Sequence, residues 1–294
     1  MHGFRHEALF YDGEQSFVPR ALPFVLDGVA SGDAVLVAVP EPNLSALRAE
    51  LGARAKSITF EDMAIVGRNP GRIISLWDDF AHAHDGMRLR GLGEPLWNGR
   101  SVDEVTECEI HEELLDLAFA HAAALHLVCP YDVAALPQQI VNRARGAHES
   151  GGSAGSPLRE PIRPAPDGAH RETFDATGIR GLRRRLGDLA DHVGVAPPRI
   201  DDLVLAVNEV VTNSVVHGGG RGTLRVWIDG EAVVCEVADH GCISDPLVGR
   251  RRPSSDSSGG RGLWLAQQLC DLVQIRSDAA GTVVRMRVNG TRLR

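Results

Sequence analysis

Between His148 and Glu172 the chain reads HESGGSAGSPLREPIRPAPDGAHRE, a run of Gly, Ser and Pro with almost no large apolar side chain. Such a segment cannot bury enough surface to offset the entropy of ordering it, so it interrupts the hydrophobic pattern and disfavours one continuous core. It reads as a linker. The other reading is a long surface loop inside one domain, but unstructured loops of that length are uncommon in compact domains. The expected division is residues 1–148, a linker over 149–172, and residues 173–294.

The two sides of this break are patterned differently. Before it, DAVLVAVP (33–40) is a nearly continuous apolar run, as expected of a strand buried on both faces. PNLSALRAELG follows with helical spacing and a closing Gly52. SITF and AALHLVCPYD read as further strands, and GRIISLWDDFAHAHDG and SVDEVTECEIHEELLDLAFAHAAA as helices. Alternating strand and helix predict an α/β domain with a parallel sheet covered on both faces. After the break, GIRGLRRRLGDLADHVGV and PRIDDLVLAVNEVVTNSVVHG read as helices. GTLRVWIDG and EAVVCEVADHG form a hairpin pattern about Asp229-Gly230. RGLWLAQQLCD is a helix, and LVQIRSD and GTVVRMRVNG are strands joined near Ala280-Gly281. Helices set against antiparallel hairpins predict a two-layer α/β sandwich.

Composition narrows the function classes. The 294 residues are 43% hydrophobic and 24% charged, with a net charge of −8. That balance argues against nucleic acid or anionic lipid as a general partner. Cys108, Cys129, Cys235, Cys242 and Cys270 are odd in number, dispersed and never in a CxxC pair, so neither a disulfide framework nor a zinc ribbon is expected and a reducing cytoplasm is the natural location. The N-terminus lacks the charged and apolar regions of a signal peptide, and no apolar run reaches the roughly 18 residues of a membrane helix.

The stretch NEVVTNSVVHGG (208–219) carries the chemistry of the second part. Leu203, Val207, Val210 and Val211 recur at helical spacing and make a core face. Glu209 and Asn213 lie one turn apart and point the same way, and His217 extends the line. A polar stripe bordered by apolar residues is expected to be partly buried, and a buried carboxylate without a cation needs a ligand, metal or water to complete its bonds. Taken alone, a solvated helix face explains the stripe equally well. Two further elements follow in order. ADHG places Asp239 and Gly241 after a strand, a carboxylate suited to an exocyclic amine and a glycine that lets a ligand approach the backbone. SSGGRGLWLAQQL places Gly259, Gly260, Arg261 and Gly262 at a helix start, where backbone N–H groups can hold phosphate oxygens.

With these three motifs, residues from about Glu172 to Asn289 resemble the GHKL (Bergerat-fold) ATPases, most closely the anti-sigma-factor serine kinases and related histidine kinase-like domains. NEVVTNSVVHG matches that family's N box, DHG its first glycine box and GGRGLWL its second. The resemblance implies ATP and Mg²⁺ as cofactors. By the same match Asn213 would bind Mg²⁺, Asp239 would hydrogen-bond the adenine amino group, and Gly260 and Gly262 would flank the triphosphate, with His217, Gly241 and Arg261 in the same nucleotide-binding set. A carboxylate at Glu209 polarises the attacking hydroxyl in the serine kinase branch. Ile243 stands where the family commonly has a second glycine, a departure on the adenine side. Residues 243–259 would be the ATP lid, in which Arg250, Arg251 and Arg252 either reach phosphates or a partner, or lie in a plain solvated loop.

No G-x-x-x-x-G-K-[ST] occurs, so there is no P-loop. HEALFYD, GVASGDAVLVAVPE, RGLGEPLW, CEIHEELLDLAF and LVCPYD, in order over about His6 to His148, resemble the MEDS sensory domain, which implies a RecA-like parallel sheet without the phosphate loop and an input role for an unknown small ligand. His6, Tyr11, Glu94, Trp97, Glu109, Cys129 and Tyr131 are its unusual residues, several at expected strand ends where open sheets place ligands. The bland alternative makes Trp97 and Tyr131 core aromatics and Cys129 a small buried apolar residue. The spacing of His82, His84, His111, His121 and His126 fits no standard metal-ligand set.

Together the resemblances imply an ATP-dependent regulator, an anti-sigma factor or protein serine kinase, acting on a sigma factor or a STAS-type anti-anti-sigma protein and controlled by the first domain. A histidine kinase-like sensor and a non-catalytic ATP-dependent binding module stand as alternatives, and homodimerisation stays open. A histidine kinase needs a helical hairpin with a phospho-acceptor His before the ATP domain, where this chain has its Pro/Gly stretch. Arg180, Arg183, Arg184 and Arg185 border the apolar face made by Leu182, Leu186 and Leu189, as a docking surface for an acidic partner or as a solvated face.

Overall fold

The computed structural model describes residues 3–121, 124–150, 157–176, 179, 181–253 and 260–290. The chain forms two compact units, Met1–Ala154 and Gly155–Arg294.

The first unit runs β1 (Arg5–Tyr11), α1 (Glu14–Ala30), β2 (Ala34–Val39), α2 (Asn43–Leu51), β3 (Ile58–Asp62), α3 (Met63–Val66), α4 (Ile73–Ala83), β4 (Leu89–Gly93), α5 (Val102–Phe119), β5 (Leu125–Asp132) and α6 (Gln138–Ser150). Its strands form one parallel sheet in the order β1-β5-β4-β2-β3. Every residue of β2 is buried, which is why its sequence is a continuous apolar run rather than an alternating one. The chain steps one way along the sheet through β2 and β3 and back through β4 and β5, so right-handed crossovers put α1 and α2 on one face and α4 and α5 on the other. The packing of α1 on α2 and of α4 on α5 agrees. Sequence patterning passes over α1, whose Pro19 and Pro23 are helix breakers by propensity. Tertiary packing overrides them, because Phe17, Ala21, Val25 and Gly28 recur at helical spacing and bury one face. Helix α5 starts on a reciprocal capping box between Ser101 and Glu104.

The second unit runs β6 (His170–Asp175), α7 (Leu182–Val193), α8 (Pro197–His217), β7 (Arg221–Asp229), β8 (Ala232–Asp239), α9 (Arg261–Leu269), β9 (Leu272–Asp278) and β10 (Gly281–Asn289). The sheet is antiparallel, ordered β6-β7-β8-β10-β9. One face packs on the three helices through a core that includes Leu186, Leu203, Val207, Val237, Val273 and Met286, making the expected two layers. The alternate residues of the strands carry charge on the other face, where Glu236 pairs with Arg225 and Arg285. Residues 157–169 lie against that charged face. Arg285 donates to the Arg163 carbonyl at 2.7 Å, Arg276 to that of Glu160 at 2.5 Å, and Leu158 is buried.

Candidate functional site

Helix α8 presents its stripe as the spacing requires. Its apolar face is buried, Glu209 and Asn213 are half-buried, and His217 is exposed at the C-terminal end. Opposite stands the start of α9, whose N-cap Gly260 has φ of 83° and whose first turn begins at Arg261. Gly262 therefore lies inside the helix rather than in the loop before it. A Cβ on Gly262 would come within 2.9 Å of Glu209 Oε2 and 3.1 Å of Asn213 Nδ2, so glycine lets α9 approach α8 without displacing those polar groups. Gly259 and the rest of 254–259 fall outside the described residues.

The third wall comes from the end of β8. Asp239 Oδ1 accepts the N–H of Gly241 at 2.7 Å, which fixes the carboxylate at the pocket's edge. Thr282 of β10 donates to the Gly241 carbonyl at 2.9 Å and ties the loop to the sheet. Ile243, the departure from the family pattern, donates its N–H to Ser277 Oγ at 2.8 Å and packs its side chain on the core. The backbone there is held by a side-chain hydroxyl and needs no glycine. Together these groups line a cavity of about 530 Å³, and Glu209, Asn213, His217, Asp239, Gly241, Gly260, Arg261 and Gly262 all border it. That size and polarity suit a ligand of nucleotide dimensions. Arg250 is buried, which removes the solvated-loop alternative for that residue, while Arg252 stacks over Trp264 at 5.5 Å. On α7, Arg183 pairs with Asp201 and Arg185 with Glu172, whereas Arg184 is exposed and has no ion pair among the described residues; Arg180 lies outside them.

In the first unit two of the unusual residues, Tyr11 and Glu94, meet at the strand ends. Tyr11 closes β1, Glu94 follows β4 and Asn43 opens α2, all at the carboxyl ends of the strands, where the connections from β2 and β4 leave for opposite faces. Tyr11 donates to Glu94 Oε1 at 2.5 Å and Asn43 to Oε2 at 3.2 Å. Burial pushes the Glu94 carboxyl up to about 7, against these two hydrogen bonds. Below the ordinary carboxyl range both folded and unfolded chains hold the proton. Between there and pH 7 only the unfolded chain releases it, so stability falls as pH rises and levels off above 7, by an amount on the order of 3 kcal/mol at most. Glu94→Gln should flatten that slope. Urea denaturation of the full chain at pH 5 and pH 8 checks it, and an unchanged slope in the variant would assign the dependence elsewhere. Of the other unusual residues, Trp97 stacks on Arg100 at 3.7 Å, Glu109 pairs with Arg143, and Tyr131 is fully buried.

Comparison with known proteins places both units. The family model "MEDS: MEthanogen/methylotroph, DcmR Sensory domain" matches residues 5–149, and the "Histidine kinase-like ATPase domain" matches residues 173–288. A serine-protein kinase RsbW of Bacillus subtilis is 28% identical over 127 residues, covering 38% of this chain and 79% of the relative. RsbW of Listeria monocytogenes is 30% identical over 116 residues, covering 35% and 74%. An anti-sigma F factor of a Thermoanaerobacter species is 25% identical over 128 residues, covering 40% and 85%. A solved structure of RsbU and RsbW domains from Mycobacterium tuberculosis is 25% identical, with a TM-score of 0.30 over 42% of this chain; the chain spans 33% of that protein. The chain belongs to the histidine kinase-like ATPase domains of the RsbW type, here preceded by a MEDS domain. No helix among the described residues is long and apolar enough to cross a membrane.

Proposed function

We propose that the second unit binds Mg-ATP and transfers its γ-phosphoryl group to a serine or threonine of a partner protein, as an anti-sigma factor and serine kinase. The observation that carries this reading is the convergence of Glu209, Asn213, Asp239 and the glycine-lined start of α9 on one cavity. Each group fits its part. Asp239 is a fixed acceptor for an exocyclic amine. The first turn of α9 offers N–H groups that have no partner within the helix, and the positive end of a helix dipole, to phosphate. The Asn213 side chain, beside Gly262, is a neutral oxygen donor for Mg²⁺. When bound, Mg²⁺ neutralises charge on the phosphates. Glu209 accepts the hydroxyl proton as the partner's oxygen attacks phosphorus and ADP leaves. The partner would be an anti-anti-sigma protein, with a sigma factor bound in the alternative state, and Arg184 offers a cation for an acidic docking surface. Control by the MEDS unit belongs to the same proposal.

A histidine kinase is less well supported. Among the described residues 157–176 there is a short turn, an extended segment and β6, and no helical pair carrying a phospho-acceptor histidine. The first test is calorimetry with Mg-ATP on the full chain. Asp239→Asn should weaken binding by about 1–3 kcal/mol, since one acceptor becomes an ambivalent amide. A folded wild-type protein that gives no heat with ATP would overturn the reading.

A further inference from the structure

The first unit holds a second polar cluster, away from the strand-end network of Tyr11 and Glu94. Residues Ala8 and Cys129 are partners in the parallel pairing of β1 with β5, so His6, two residues before Ala8, points to the same face as Cys129. Helices α5 and α6 cover that face and bring Glu112 and His148 to the same point. One ligand-capable atom from each of His6, Glu112, Cys129 and His148 lies within 4.8 Å of every other. His6 Nε2 is 3.1 Å from Glu112 Oε2, 3.3 Å from Cys129 Sγ and 3.1 Å from His148 Nε2, and His148 Nε2 is 3.4 Å from Glu112 Oε2. Bonds of 2.0–2.3 Å around a tetrahedral ion keep its donor atoms roughly 3.3–3.8 Å apart, close to these separations.

We propose that His6, Glu112, Cys129 and His148 bind one divalent transition-metal ion of the zinc class. The surroundings favour this over an ordinary buried network. His148 Nδ1 lies 2.7 Å from the Ala144 carbonyl, an arrangement that needs the proton on Nδ1 and turns the Nε2 lone pair into the cluster. His6 Nδ1 faces the Asp116 carboxylate at 4.0 Å, beyond hydrogen-bond distance but near enough to attract an N–H at Nδ1 and favour the tautomer that leaves Nε2 as a donor to a metal. Side chains of His6, Glu112 and His148 are 8%, 5% and 7% exposed, and Cys129 is buried, so the donors are held rather than hydrated. Because thiols bind such ions as thiolates, metal binding at Cys129 would release a proton to solvent. Two imidazoles, one thiolate and one carboxylate suit zinc, cobalt or nickel and not magnesium or calcium, which take oxygen donors. A nucleophilic Cys–His–Glu relay is a poorer fit. Such a relay uses both ring nitrogens, whereas here the thiol and the carboxylate meet the same Nε2 of His6. None of this depends on the kinase assignment.

Full-length protein stripped with a chelator and titrated with Co²⁺ tests the proposal. One equivalent should bind, with intense visible bands of tetrahedral cobalt and a near-ultraviolet thiolate charge-transfer band. Cys129→Ser should abolish the charge-transfer band, and His148→Gln should lower Co²⁺ affinity by more than about tenfold. His82→Gln, on α4, should change neither. Circular dichroism reports whether each variant is folded, and one folded variant of the two ligand changes is sufficient; His148, on the C-terminal turns of α6, is the position more tolerant of replacement. Zn²⁺ should also raise the thermal midpoint of the wild type and not of His148→Gln. Failure of the wild type to bind an equivalent of Co²⁺, or a spectrum and affinity indifferent to the folded variants, would overturn the site and leave a buried hydrogen-bonded cluster.

Discussion

Glu209→Gln should bind Mg-ATP as the wild type does and transfer phosphate to its partner about 10²–10⁴-fold more slowly. Glu209 lies in the cavity beside the start of α9, close enough that a Cβ on Gly262 would touch it, and the amide keeps its shape while removing its basicity. Binding and transfer should therefore separate. Calorimetry reads the first, and transfer from labelled ATP to a candidate serine-bearing partner reads the second. Transfer at the wild-type rate would remove Glu209 from the chemistry. ATP binding with no transfer by either protein, across a panel of candidate partners, would favour a non-catalytic module that needs nucleotide only for its conformation.

The largest effect on stability should come from Gly281→Ala. A Cβ at Gly281 would overlap the Asp239 carbonyl oxygen and lie 3.3 Å from His240 Cα, and the φ of 142° is one that residues with side chains rarely adopt. The clashing atoms are backbone at the end of β8, which β10 holds in register by pairing Thr282 with Asp239. They cannot swing aside as a flexible side chain could. A destabilisation of the second unit on the order of 3 kcal/mol is expected, with weakened nucleotide binding in the fraction that folds, because Asp239 must move. Gly219→Ala, at a φ of 88° in open space, carries only the conformational penalty and should cost about 1 kcal/mol. Urea denaturation of the two variants compares them. A Gly281→Ala protein within 1 kcal/mol of Gly219→Ala would show that the β8–β10 turn yields.

Most of the second unit is legible in the sequence because its information is local. The periodicity of α8 places Glu209, Asn213 and His217 along one line, and the ordered glycine motifs set them against Asp239 and the start of α9. The structure adds what spacing does not contain: Gly262 stands inside the helix, Ile243 is held by Ser277, and Arg250 is buried. The same limit applies to α1, where Pro19 and Pro23 mask a helix that exists through its buried face.

The metal-type cluster lies at the far end of this range. His6 and Cys129 stand out as unusual in the sequence, Glu112 and His148 do not, and counting histidine spacings directs attention to other positions. Its four members are separated by as many as 142 residues. Only the pairing of β1 with β5 and the placement of α5 and α6 over that face bring them together. The sequence determined many of the strands and helices, α1 excepted, and the face that most of those bury, because those follow from periods of two and 3.6 residues. The tertiary structure decided which polar groups from distant segments share a point in space, because sheet order and crossover handedness are set by packing of the whole unit.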